Sequence, residues 1–92
     1  MRTIYRYELP IVDRPVVQMP ADAVILPSPP SPRGHSIEIW AEVDDQEPLE
    51  PRAFRIVGTG NPIPEDARQF VGTVVTHGGQ YVWHVFEATG DA

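Results

Sequence analysis

The stretch Phe70-Val71-Gly72-Thr73-Val74-Val75-Thr76-His77-Gly78-Gly79-Gln80-Tyr81-Val82-Trp83-His84-Val85-Phe86-Glu87-Ala88 reads as two apolar runs hinged on a Gly-Gly pair. Glycine takes positive φ without strain, as the centre of a two-residue hairpin turn requires. The spacing therefore predicts strands over Phe70 to Thr76 and Gln80 to Ala88. With Gly78-Gly79 as the loop, His77 faces Gln80, Val75 faces Val82, Val74 faces Trp83, Thr73 faces His84 and Val71 faces Phe86. Alternation then puts Val71, Thr73, Val75, Val82, His84 and Phe86 on one face and Phe70, Val74, Tyr81, Trp83 and Val85 on the other. Both faces are apolar, so the hairpin is expected to be covered twice, by the core on one side and by loops or a second copy of the chain on the other.

Upstream, Ser36 to Val43 alternates cleanly: Ile37, Ile39, Ala41 and Val43 face inward, and Glu38, Trp40 and Glu42 outward. An indole between two carboxylates is either covered by another element or exposed at a contact surface. Thr3 to Leu9, Val16 to Met19, Ala23 to Leu26 and Arg52 to Val57 also read as strands, the first three forming a meander. Residues 27–35 form a Pro-rich stretch, and Pro27 to Gly34 is expected to be an extended loop in neither helix nor ladder. Residues 44–51 are expected to be a solvated acidic loop without the spacing of a calcium site. Glu65 to Gln69 is predicted to make one helical turn, because Pro64 suits a first helical position and Glu65 and Asp66 suit its dipole. Eleven prolines among 92 residues disfavour further helices. The expected architecture is a single all-β domain over residues 1–92, a small sandwich or open barrel of about six or seven antiparallel strands with at most one short helix.

Composition narrows function by exclusion. Thirteen acidic residues outnumber seven basic ones, a net charge of −6, so nucleic acid is a disfavoured partner. The basic residues Arg2, Arg6, Arg14, Arg33, Arg52, Arg55 and Arg68 include no Lys, a pattern that suits a GC-rich genome. Without cysteine there are no disulfides and no thiolate chemistry, which favours an intracellular setting and stabilisation by an apolar core or by association between chains. The N-terminus is too polar for a signal peptide, and no apolar run reaches the roughly 20 residues of a membrane span.

Candidate chemistry is sparse. In the hairpin register His77 and His84 share a face about 13 Å apart, beyond the reach of one metal ion, and His35 has no partner placed by sequence. No metal or other cofactor is expected, and His84 is expected to be satisfied by hydrogen bonds. Gly58-Thr59-Gly60 after a strand is either a tight turn or a weak phosphate-cradling loop, in which case Arg55, Gly58, Thr59, Gly60 and Arg68 are the candidate contacts of a nucleotide-like ligand. No Gly-x-Ser-x-Gly or Ser-His-carboxylate spacing exists, so no catalytic residues are assigned.

The blocks Tyr5-Arg6-Tyr7-Glu8-Leu9-Pro10-Ile11, Phe54-Arg55-Ile56-Val57-Gly58-Thr59-Gly60-Asn61-Pro62-Ile63-Pro64, Phe70-Val71-Gly72-Thr73, His77-Gly78-Gly79 and His84-Val85-Phe86-Glu87 resemble a family of small uncharacterised proteins common in bacteriophage genomes. The resemblance implies a phage or prophage origin and action in the host cytoplasm, and assigns no residue a role. The expected function is a nonenzymatic accessory or interaction protein acting on a host or phage protein. Self-association as a dimer or higher oligomer through Trp40, Phe70, Val74, Tyr81, Trp83 and Val85 is part of that expectation. A ligand-sequestering protein and a small hydrolase are the alternatives.

Overall fold

The computed structural model describes residues 1–27 and 29–89, so Ser28 of the Pro-rich stretch lies outside the described residues. Its strands are β1 (Arg2–Pro10), β2 (Val16–Pro20), β3 (Val24–Ile25), β4 (Ser31–Arg33), β5 (Ser36–Asp44), β6 (Leu49–Gly58), β7 (Ala67–Thr76) and β8 (Tyr81–Ala88). They form two four-stranded antiparallel sheets and no closed barrel, an all-β fold as the alternation predicts. In the first sheet β5 is central, with β1 along one edge and β3 then β4 along the other; the second runs β2-β6-β8-β7.

The N-terminal strands are not a meander. β1 pairs with β5 (Tyr5↔Ala41, Leu9↔Ile37), β2 crosses to the other sheet to pair with β6 (Val16↔Ala53), and β3 returns to β5. These crossings put successive strands in opposite layers, so each inner face is buried by a neighbour in sequence as well as by distant ones. The Pro-rich stretch does contribute a ladder, since Ser31–Arg33 pairs with Ser36–Glu38 and Pro32 lies opposite Ile37. Proline is tolerated there because β4 is an edge strand, where a missing N–H costs no ladder bond on the open side. The acidic loop is shorter than expected, because β6 begins at Leu49. Glu65 to Gln69 is not helical: the Ala67 N–H closes one turn onto the Pro64 carbonyl at 3.0 Å, and Ala67 then enters β7. A lone helical turn fixes several dihedrals for one bond, whereas extension adds a rung to the ladder with β8.

The hairpin turn forms as its glycines require, with Gly78 at φ 65°, ψ 26°, Gly79 at φ 96°, and the Gln80 N–H on the His77 carbonyl at 3.3 Å. Its ladder starts at Thr76↔Tyr81, because His77 at φ 56° is not extended and cannot form the rung with Gln80. From there the register runs as expected through Val75↔Val82, Val74↔Trp83 and Thr73↔His84 to Gly72↔Val85, then shifts by one residue so that Phe70, not Val71, faces Phe86. The irregularity reverses the predicted faces of two residues: Val71 packs against the core, and Phe70 turns outward, 53% exposed. It falls beside Gly72, where an added Cβ would lie 2.4 Å from Pro30 Cδ. Only glycine admits so close an approach of the segment before β4 to β7.

Between the sheets lies one cluster in which Leu9, Met19, Ile37, Ala41, Phe54 and Val85 are fully buried and Ile39, Val43, Ile56 and Val74 nearly so. Val74 and Val85, expected at a contact surface, are therefore core residues. Two glycine substitutions test this frame. Gly78→Val, at a position open in space but left-handed in φ, should cost about 1–2 kcal/mol of stability in chemical denaturation. Gly72→Ala should also destabilise, through the clash with Pro30, and Pro30→Ala should relieve part of that loss.

Candidate functional site

Arg55 and Gly58 lie toward the C-terminal end of β6, Thr59 and Gly60 in the turn that follows it, and Arg68 in β7. Arg55 lines a cavity of about 330 Å³ with Asp13, Gly58, Asn61 and Trp83. Its Nε donates to Asp66 Oδ1 at 2.8 Å, and Arg14 Nε donates to the other carboxylate oxygen at 3.1 Å. The Arg55 guanidinium, followed by that of Arg14, holds the Asp66 carboxyl below its ordinary pKa. An incoming anion would have to displace a carboxylate that already takes both guanidinium groups. Gly58, which borders both, joins Thr59 and Gly60 in lining a second cavity, of about 270 Å³ and largely apolar, with Ile63, Phe70, His84 and Phe86. Arg68 is exposed and lines neither cavity. Arg55, Gly58, Thr59, Gly60 and Arg68 therefore do not converge on one position. Residues 58–61 form a tight turn, closed by the Asn61 N–H on the Gly58 carbonyl at 3.0 Å and tied to β8 by the Thr59 N–H on the Val82 carbonyl at 3.3 Å.

The outer face of the second sheet is laid out by register. Arg55, Phe86 and Phe70 form one row across β6, β8 and β7; Val57, His84 and Thr73 form the next; Val82 and Val75 form the third. Phe70 and Phe86 meet edge to face with ring centroids 5.4 Å apart. At the centre, His84 Nδ1 is 2.9 Å from Thr73 Oγ1 and Nε2 is 2.8 Å from Thr59 Oγ1, so both ring nitrogens are engaged. Arg55 is the only formal charge in this grid and is paired with Asp66.

The six expected contact residues fall in different places. Trp40 stands on the outer face of the first sheet, flanked by Leu26 and Pro29, and its neighbours Glu38 and Glu42 are ion-paired with Arg6 and Arg2. Those pairs account for an indole between two carboxylates. Trp83 points inward, its Nε1 donating to the buried Thr76 hydroxyl at 2.8 Å, while Tyr81 stands exposed at the sandwich end. With Val74 and Val85 in the core, Phe70 is the member that belongs to the outer apolar face.

Sequence reasoning missed a contact at that same end. The left-handed His77 turns away from the face of His84, and its Nε2 lies 3.3 Å from His35 Nδ1, 42 residues away in the chain. Thr76 Oγ1 is 2.8 Å from the other His77 nitrogen, and Tyr81 packs edge-on against the ring at 5.0 Å. The one available signal was that both histidines sit in Gly-containing turns, Gly34-His35 and His77-Gly78-Gly79. Ser31 donates to Glu38 and Ser36 to Glu8, so both of these hydroxyls engage carboxylates.

A sandwich with these features matches one family along its whole length. The chain belongs to the family described as a domain of unknown function, DUF7352, whose model covers residues 1–92. No curated protein and no solved structure matches it. Among the described residues, no helix is long and apolar enough to cross a membrane.

The Asp66 clamp has a pH signature. A carboxyl whose pKa is depressed on folding adds stability above its unfolded value, and that contribution disappears as pH falls through the folded value. Asp66→Asn should therefore melt below the wild type at neutral pH, and the gap should close on acidification past the ordinary carboxylate value of 3.8. A gap that persists unchanged at low pH would assign the loss to packing instead.

Proposed function

We propose that this protein is a nonenzymatic interaction module that works as a homodimer through the outer face of the β6-β8-β7 sheet. The carrying observation is the uncharged patch of Phe70, Val75, Val82 and Phe86, extended by Ile63 from the neighbouring loop. Phe70, Val75 and Ile63 are 53%, 48% and 62% exposed, and the patch's one histidine has both nitrogens satisfied internally. Grouped apolar exposure of this kind marks contact surfaces, and a small chain without disulfides gains stability by burying it. Closed two-fold pairing is the commonest way a single chain does so. The phage resemblance of the sequence blocks supports a role inside an infected host, and flanking phage genes would test that origin. Ligand sequestration is supported less, because Arg55 is held by Asp66 and Arg68 stands apart from both cavities.

Light scattering tests the dimer. At tens of micromolar the wild type should show twice the chain mass, Phe70→Glu should show the monomer mass with an unchanged circular dichroism spectrum, and Trp40→Glu on the opposite sheet should stay dimeric. A monomeric wild type would reject the reading, and a dimer lost only in Trp40→Glu would move the interface to the first sheet.

A further inference from the structure

The sandwich end that joins the two sheets carries a pair of histidines on separate turns. His35, between β4 and β5, and His77, between β7 and β8, present Nδ1 and Nε2 to each other at 3.3 Å. Two imidazole nitrogens bound to one tetrahedral ion at about 2.0–2.1 Å each stand roughly 3.3–3.4 Å apart, the edge of the coordination tetrahedron. Both rings are exposed, so a bare imidazole pair at this separation competes with water and gains little as a hydrogen bond.

We propose that His35 and His77 together bind a transition-metal dication of the zinc, nickel or copper class, clipping the first sheet to the second. Imidazole suits these ions, whereas calcium and magnesium need oxygen ligands. The second nitrogen of His77 is already oriented as in a metal-binding histidine: with Nε2 on the ion, Nδ1–H donates to Thr76 Oγ1 at 2.8 Å. Thr76 is itself only 2% exposed and fixed by the Trp83 indole N–H, so the ring stands on a buried support. The nearest cationic side chain in the β4–β5 hairpin, Arg33, is taken by Glu8 and Glu38, and the chain's net charge of −6 favours an incoming cation. Among the described residues no third His, Asp or Glu joins the pair, so water fills the remaining positions. The clip would close the side of the sandwich where Pro30 and Gly72 already meet.

Isothermal titration of the full chain with zinc chloride near neutral pH tests this. One zinc per chain is expected, with affinity reduced by about tenfold or more in His35→Gln and in His77→Gln, and unchanged in His84→Gln, whose nitrogens are held by Thr59 and Thr73. Zinc should also raise the melting temperature of the wild type, reversibly on chelation, and leave the two turn variants unmoved. No binding up to millimolar zinc would overturn the proposal, as would wild-type affinity in either turn variant or loss of binding in His84→Gln. Circular dichroism of each variant separates lost ligation from lost fold.

Discussion

The inner row of β5 pressed against the second sheet is the contact on which the structure rests. Ile37, Ile39, Ala41 and Val43 are all but sealed from solvent, and across from them Phe54, Ile56, Val74 and Val85 complete one cluster. At about 25 cal/mol per Å² of apolar surface removed from water, this face-to-face burial is the main favourable term in a chain with no disulfide. β5 is also the strand of its sheet with partners on both edges, so β1, β3 and β4 depend on its position for their ladders. Loss of that layer contact would leave two open sheets, each with its apolar inner face exposed to water.

The same contact settles what remains outside. Because Trp83 and Val85 must face the first sheet, His84 and Phe86 face away, and the slip between Phe70 and Gly72 turns Phe70 out beside Phe86. The slip sits where Pro30 presses on Gly72, so the close passage of the Pro-rich segment and the exposed aromatic pair are two results of one packing event. The ion pairs follow a similar division: Arg55 and Arg14 converge on Asp66 at the rim, and Arg52 pairs with Glu87, leaving the middle of the outer face without formal charge.

The sequence was most legible where partners are near each other in the chain. The Gly78-Gly79 turn and five rungs from Thr76↔Tyr81 to Gly72↔Val85 follow from glycine's access to positive φ and from strict alternation, and so does the inward row of β5. What was not legible depends on distant partners. No local pattern announces that Asp66 will stand between Arg14 and Arg55, or that His35 will meet His77 across the sandwich end. The register slip at Val71 was hidden for a related reason, since Phe70 and Val71 are both apolar and either could face the core. Pro32 misled in the opposite sense, because a proline argues against a central strand but not against an edge. The glycine loop after β6 was visible as a turn, while the neutralisation of Arg55 that weakens its case as an anion site was not.

If the two sheets share one core, they must open together. Native-state amide hydrogen exchange measures this directly: the slowest amides of β5, at Ile39 and Ala41, should exchange with the same opening free energy as those of β6 and β8 at Ile56 and Val85, equal to the global unfolding free energy. Distinct values for the two sheets, with β5 opening well below β6 and β8, would contradict a core built on the β5 contact.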